Sequence, residues 1–138
     1  MENKHIQTEI YVEDNSDTTN LSYRSRGYRR DLYVKHNDKY YKMTVFSYTC
    51  LKQQLENQYK LLGRYSLETN LIIVKTLNME KIVNTILEEA KHHYFDRIKE
   101  CQVIDGEIIY PLDEATIKCY KEANWPTSFP INKLSRIY

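Results

Sequence analysis

At 138 residues the chain has the usual size of one domain, long enough to bury a core without disulfide or metal staples. Its hydrophobic share of 41% and charged share of 28% exclude an intrinsically disordered chain. No run approaches the ~18 apolar residues of a membrane span, and the polar opening Met1-Glu2-Asn3-Lys4-His5 lacks the apolar core of a signal peptide, so a cytoplasmic protein is expected.

Residues His5 to Glu13 alternate, with Ile6, Thr8, Ile10 and Val12 on one side, and read as a half-buried strand. Asp14 to Asn20 is polar and reads as a loop. From Leu21 strand character returns, with Gly27 marking a bulge or bend. Arg30 to His36 and Lys39 to Tyr48 form a hairpin through Asn37-Asp38, residue types that tolerate the left-handed backbone of a two-residue turn.

A helix is predicted over Thr49 to Leu62, with Leu51, Leu55, Tyr59 and Leu62 on one stripe and Gly63 ending it. The apolar run Leu71-Ile72-Ile73-Val74 reads as a central strand covered on both faces. Asn78 caps a second helix reaching about His93, with Met79, Ile82, Val83, Ile86, Leu87 and Ala90 facing the core. Cys101 to Pro111 forms a second hairpin through Asp105-Gly106. Asp113 caps a third helix, which Asn124-Trp125-Pro126 ends, and residues 126–138 read as an irregular tail on the surface. The order describes one α+β domain over 1–138, an antiparallel or mixed sheet with about three helices packed on one face.

Catalytic motifs are scarce. Gly27, Gly63 and Gly106 are isolated, so no phosphate-cradling loop exists, and neither GxSxG nor HExxH occurs. Cys50, Cys101 and Cys119 are an odd count without CxxC spacing and read as three reduced, small apolar side chains. A zinc site from these with His92 and His93 lacks convergent ligands, since helix neighbours point ~100° apart. Cys50 near a helix start could use His36 or His92 as a base, but a packing role suffices. The carboxylate pairs Glu88-Glu89 and Asp113-Glu114 are explained by a helix surface and a cap. No enzyme activity, metal or cofactor is expected.

The net charge of +1 hides a partition. Residues 1–20 carry net −4, residues 21–66 carry ten Lys or Arg against three acids, net +7, and residues 77–122 carry net −4. Within the basic band, Tyr23, Arg24, Arg26, Tyr28, Arg29 and Arg30 interleave aromatic rings with guanidinium groups. Tyr and Arg are enriched at binding hot spots, and Arg grips carboxylates or phosphates with two prongs. These six residues are the candidate partner-binding site, although tyrosines filling strand positions and solvated arginines would give the same pattern.

From Asp31 to Ala90 the chain resembles bacterial immunity proteins of polymorphic or contact-dependent toxin systems. The matching features are Leu32-Tyr33-Val34, the Asn37-Asp38-Lys39-Tyr40-Tyr41 turn, Asn70-Leu71-Ile72-Ile73-Val74 and the helix from Met79 to Ala90. The resemblance implies a small α+β protein that binds a toxin domain encoded by an adjacent gene. Immunity proteins against nucleases tend to be acidic, and this chain is near neutral. The implied partner is therefore an acidic toxin face or a toxin that is not a nuclease. The competing expectation is a nucleic-acid-contacting protein of phage or mobile-element origin, using Arg24 to Arg30 on phosphates.

Overall fold

The structure is a computed structural model and describes residues 7–65, 67 and 70–138; the expected facing of Ile6 lies outside them. Strands β1 (Thr8–Val12), β2 (Tyr28–His36), β3 (Lys39–Ser47), β4 (Leu71–Val74) and β8 (Ser135–Arg136) form one sheet in the order β4-β3-β2-β1-β8. A second sheet has the order β5-β6-β7, from Gln102–Ile104, Glu107–Ile109 and Ser128–Pro130. Among the described strands only the β3–β4 pair is parallel. With helices α1 (Asp17–Arg26), α2 (Tyr48–Leu62), α3 (Met79–Lys91) and α4 (Glu114–Glu122), the fold is α+β.

The two expected hairpins form on their expected turns. Asn37 and Asp38 have φ of 52° and 64°, and Asp105 and Gly106 have 53° and 76°. These mirror-image turns match the right-handed twist of the flanking strands. The caps also form: Asn78 Oδ1 accepts the Lys81 amide at 2.9 Å and Asp113 Oδ1 the Thr116 amide at 2.7 Å.

Pleating sends Leu32 and Val34 to one face of β2 and Tyr33 to the other, and all three are fully buried. On the first face Ile10, Val12, Met43, Val45, Ile72 and Val74 pack with Ile82 and Ile86 of α3. Each such aliphatic side chain contributes about 1.5–3 kcal/mol by leaving water. On the second face Tyr33 packs with Cys101, Ile108 and Tyr110, so the small sheet covers the back of the large one. The Cys101 amide bonds the Tyr40 carbonyl at 2.7 Å and ties the two sheets together.

Four expectations are corrected. Residues 17–26, read as loop and then strand, form α1, capped by Ser16, whose Oγ accepts the Thr19 amide at 3.2 Å. Gly27 is the left-handed C-cap of that helix, not a bulge: its φ is 88° and its amide bonds the Tyr23 carbonyl. Strand β4 sits at the sheet edge and not at its centre; Ile72 and Val74 are buried but Ile73 is exposed. The strand covered on both faces is β2, because it has two paired neighbours and a layer on each side. Finally, 126–138 is not an irregular tail: β7 pairs with β6 and β8 with β1, satisfying the outer backbone groups of both strands. Nor do the helices all share one face: α3 covers the first, and Tyr120 of α4 packs with Tyr33, Cys101, Ile108 and Tyr110 on the second.

Candidate partner-binding cleft

The turn at Gly27 brings the last turn of α1 beside the start of β2. The Gly27 carbonyl accepts the Ser47 amide at 2.8 Å, which anchors the turn on the end of β3. Side chains from the two elements interleave into a stack. The Arg29 guanidinium lies 4.4 Å from the Tyr23 ring centre, and Arg26 lies 4.9 Å from Tyr23 and 5.2 Å from Tyr28. Arg30 lies 4.8 Å from Tyr28 and 5.6 Å from Phe46, and Tyr28 stacks on Phe46 at 5.3 Å. Each guanidinium faces the negative face of a ring, which holds its plane fixed.

The six sequence-assigned residues divide. Tyr23, Arg26, Tyr28 and Arg30 line one open cleft of about 340 Å³. Arg29 is only 1% exposed: its Nε and Nη2 donate to the two Asp31 carboxylate oxygens at 2.7 and 2.9 Å, and its Nη1 donates to Asn20 at 3.1 Å. It braces α1 against β2 and reaches no partner. Arg24 is exposed on α1 and borders a different depression with Asp17, Asn20 and Met79.

Distant segments complete the cleft. Trp125 follows the end of α4, is 60% exposed and meets Tyr120 edge to face at 5.4 Å. Tyr110 and Lys42 form the inner wall, with the Lys42 ammonium 5.0 Å from the Tyr110 ring and 5.5 Å from Tyr33, donating to the Arg30 carbonyl. Burial holds the Lys42 amine below its ordinary pKa. Tyr33 donates to Glu13 at 2.7 Å and shares a hydrogen bond with Tyr110 at 3.1 Å; burial drives its phenol far above the ordinary range. The Tyr23 phenol is also raised by burial. Nothing local in the sequence joins Tyr110, Tyr120 and Trp125 to residues 23–30; the one available signal was the single tryptophan, placed before Pro126.

The cleft lining carries an excess of positive charge. Arg26, Arg30 and Lys42 face Glu13 and Asp31, and Asp31 is already paired with Arg29. Arg26 has no hydrogen bond or ion pair among the described residues, so its donors are directed to solvent. An arrangement of fixed guanidinium, phenol and indole groups can bind a carboxylate flanked by apolar surface.

The Cys50–His36 grouping does not assemble. His36 pairs with Lys39 at one end of the β2–β3 hairpin, whereas Cys50 follows Ser47 at the other. Burial raises the Cys50 thiol above its usual pKa, opposite to nucleophile activation. Glu88 engages Lys91 and His92 at 3.7 and 3.3 Å, and His93 pairs with Asp96 at 3.3 Å. Among the described residues no three His, Cys, Asp or Glu side chains converge as metal ligands, and no helix is long and apolar enough to cross a membrane. A separate depression of about 550 Å³ is bordered by Thr8, His36, Leu87, Lys91 and Asp96. There the His36 ring bonds Thr8 Oγ1 at 2.9 Å and stacks on Phe95, and burial lowers its pKa.

No family model matches the chain, and neither the curated proteins nor the solved structures include a match.

Proposed function

We propose that this chain is a non-catalytic protein-binding module, in its most specific form a cytoplasmic immunity protein that neutralises a cognate bacterial toxin by tight binding. The observation that carries this reading is the stack of Arg26 and Arg30 on Tyr23 and Tyr28, opening into a cleft beside the exposed Trp125. These are the residue types that dominate binding energy in protein interfaces, and here they are held by a rigid scaffold. The partner chemistry it fits is a loop presenting Asp or Glu beside an apolar side chain. Contact with nucleic acid is the weaker reading: Arg29 is buried against Asp31 and Arg24 lies outside the cleft, so Arg24 to Arg30 form no continuous phosphate-facing row, and Glu13 adds a carboxylate to the lining.

Co-expression with the product of the adjacent gene tests the reading. Growth should be restored by the wild-type chain and lost again with Arg26→Ala and Trp125→Ala together. Binding to a random DNA duplex should stay at or weaker than ~10⁻⁴ to 10⁻⁶ M at physiological salt. A tight complex whose affinity falls steeply with salt would replace the protein-binding reading with the nucleic-acid one.

A further inference from the structure

Helix α2 is amphipathic, yet Leu51 is its only fully buried side chain. Of the twelve exposed large hydrophobic residues among those described, seven lie between Tyr48 and Ile73, on α2, the connection after it and the edge strand β4. Such a concentration marks an interface. The residues are also ordered. Tyr48, Lys52, Leu55, Tyr59 and Leu62 recur at alternating intervals of four and three, the spacing of a helix that packs against another helix. Tyr48, Tyr59 and Leu62 are 63%, 55% and 62% exposed, and Leu55 is half-buried. Tyr59 stacks on Tyr65 at 5.2 Å, which fixes its ring in place.

We propose that this face of α2 is the contact between two copies of the chain, their α2 helices packed antiparallel about a two-fold axis. A two-fold contact must be self-complementary: residue i meets j, and j meets i. An axis between Lys52 and Leu55 sets Tyr48 of one copy beside Tyr59 of the other, twice. The same axis sets Lys52 across from Leu55 and one residue from Glu56 of the other copy, twice, within reach of the opposite charge. Lys52 and Glu56 are exposed and, although four residues apart on one helix, neither forms an ion pair within the chain among the described residues. Among the described residues, both charges are therefore open to pairing with the second copy. The net charge of +1 adds little repulsion between copies. This face is distinct from the cleft at Arg26, so the dimer does not depend on the partner proposed above.

Sedimentation velocity on the full chain over a wide concentration series tests the proposal. A reversible monomer–dimer equilibrium is expected. Tyr59→Glu and Leu62→Glu should each weaken the dimer roughly tenfold or more, with circular dichroism unchanged because both side chains are exposed. Lys52→Glu should weaken it through contact with Glu56 of the second copy, and the double change Lys52→Glu, Glu56→Lys should restore it. A chain that stays monomeric throughout overturns the proposal, as does a dimer indifferent to Tyr59→Glu and Leu62→Glu. Failure of the folded double variant to recover the dimer overturns the two-fold geometry. Capture of a foreign protein by the same residues on a monomeric chain assigns the face elsewhere and overturns it too.

Discussion

The guanidinium of Arg29 grips the carboxylate of Asp31 through two parallel hydrogen bonds of 2.7 and 2.9 Å, with both side chains almost completely withdrawn from solvent. Removing one partner strands the other charge in a buried site, at a cost of about 3–5 kcal/mol. Arg29→Ala should therefore lower urea-unfolding stability by that order. Arg26→Ala, three residues earlier and exposed, loses only its contacts with the Tyr23 and Tyr28 rings and should cost about 1 kcal/mol. Equal losses for the two variants would contradict the division of the arginines into one brace and one contact.

Gly27 carries two constraints and Gly63 one. Both have positive φ, 88° and 68°, but a Cβ at Gly27 would sit 2.8 Å from the Cys50 Cβ, while at Gly63 it would meet open space. Gly63→Ala should cost about 1–2 kcal/mol for the left-handed backbone alone. Gly27→Ala should cost more, because the Cys50 Cβ is fixed to the first turn of α2 and cannot swing away as the end of a flexible side chain would. Thermal melts of both variants would test the order; a smaller loss at Gly27 would refute it.

The hairpins and caps were legible because their signals are local: Asn37-Asp38, Asp105-Gly106, Asn78 and Asp113 act on backbone groups within a few residues. Helix α1 was not legible, since none of its residues is buried and it carries no apolar stripe to reveal a period. Its caps, Ser16 and Gly27, were the only marks, and Gly27 reads equally as a bulge. Strand β4 reads as central because Leu71 to Val74 is wholly apolar; exposure of Ile73 follows from sheet order, which no local pattern contains. The tyrosine–arginine segment was legible as a binding candidate, but which arginine faces outward depends on Asp31 and Asn20, and Trp125 arrives from the far end of the chain.

His36 supplies a pH dependence. Burial lowers its folded pKa below the ordinary 6.5, with Asp96 partly opposing the shift. Between the lowered value and 6.5 the unfolded chain binds the proton and the folded chain does not. Its contribution to stability is therefore complete above 6.5 and is lost as pH falls from there toward the folded value. His36→Gln should flatten that part of the stability–pH curve. An unchanged slope would assign the dependence to other groups.

The three thiols should react in order of exposure. Cys119 is exposed, Cys50 partly covered and Cys101 buried, and burial raises the pKa of both Cys50 and Cys101. A thiol-disulfide exchange reagent should label Cys119 first, Cys50 more slowly, and Cys101 only with unfolding. Early labelling of Cys101 in peptide mass analysis would contradict the tie between the two sheets.

The central claim is that a protein partner docks on the cleft where Arg26 lies between Tyr23 and Tyr28 beside Trp125. Binding kinetics between this chain and the product of the adjacent gene test it most directly. A functional neutraliser should bind at nanomolar affinity or tighter, about −12 kcal/mol or more favourable. Arg26→Ala or Tyr28→Ala should each cost about 2 kcal/mol or more, chiefly through faster dissociation. A tight complex whose dissociation rate is unmoved by Arg26→Ala, Tyr28→Ala and Trp125→Ala would contradict the site, and absence of any complex would contradict the function.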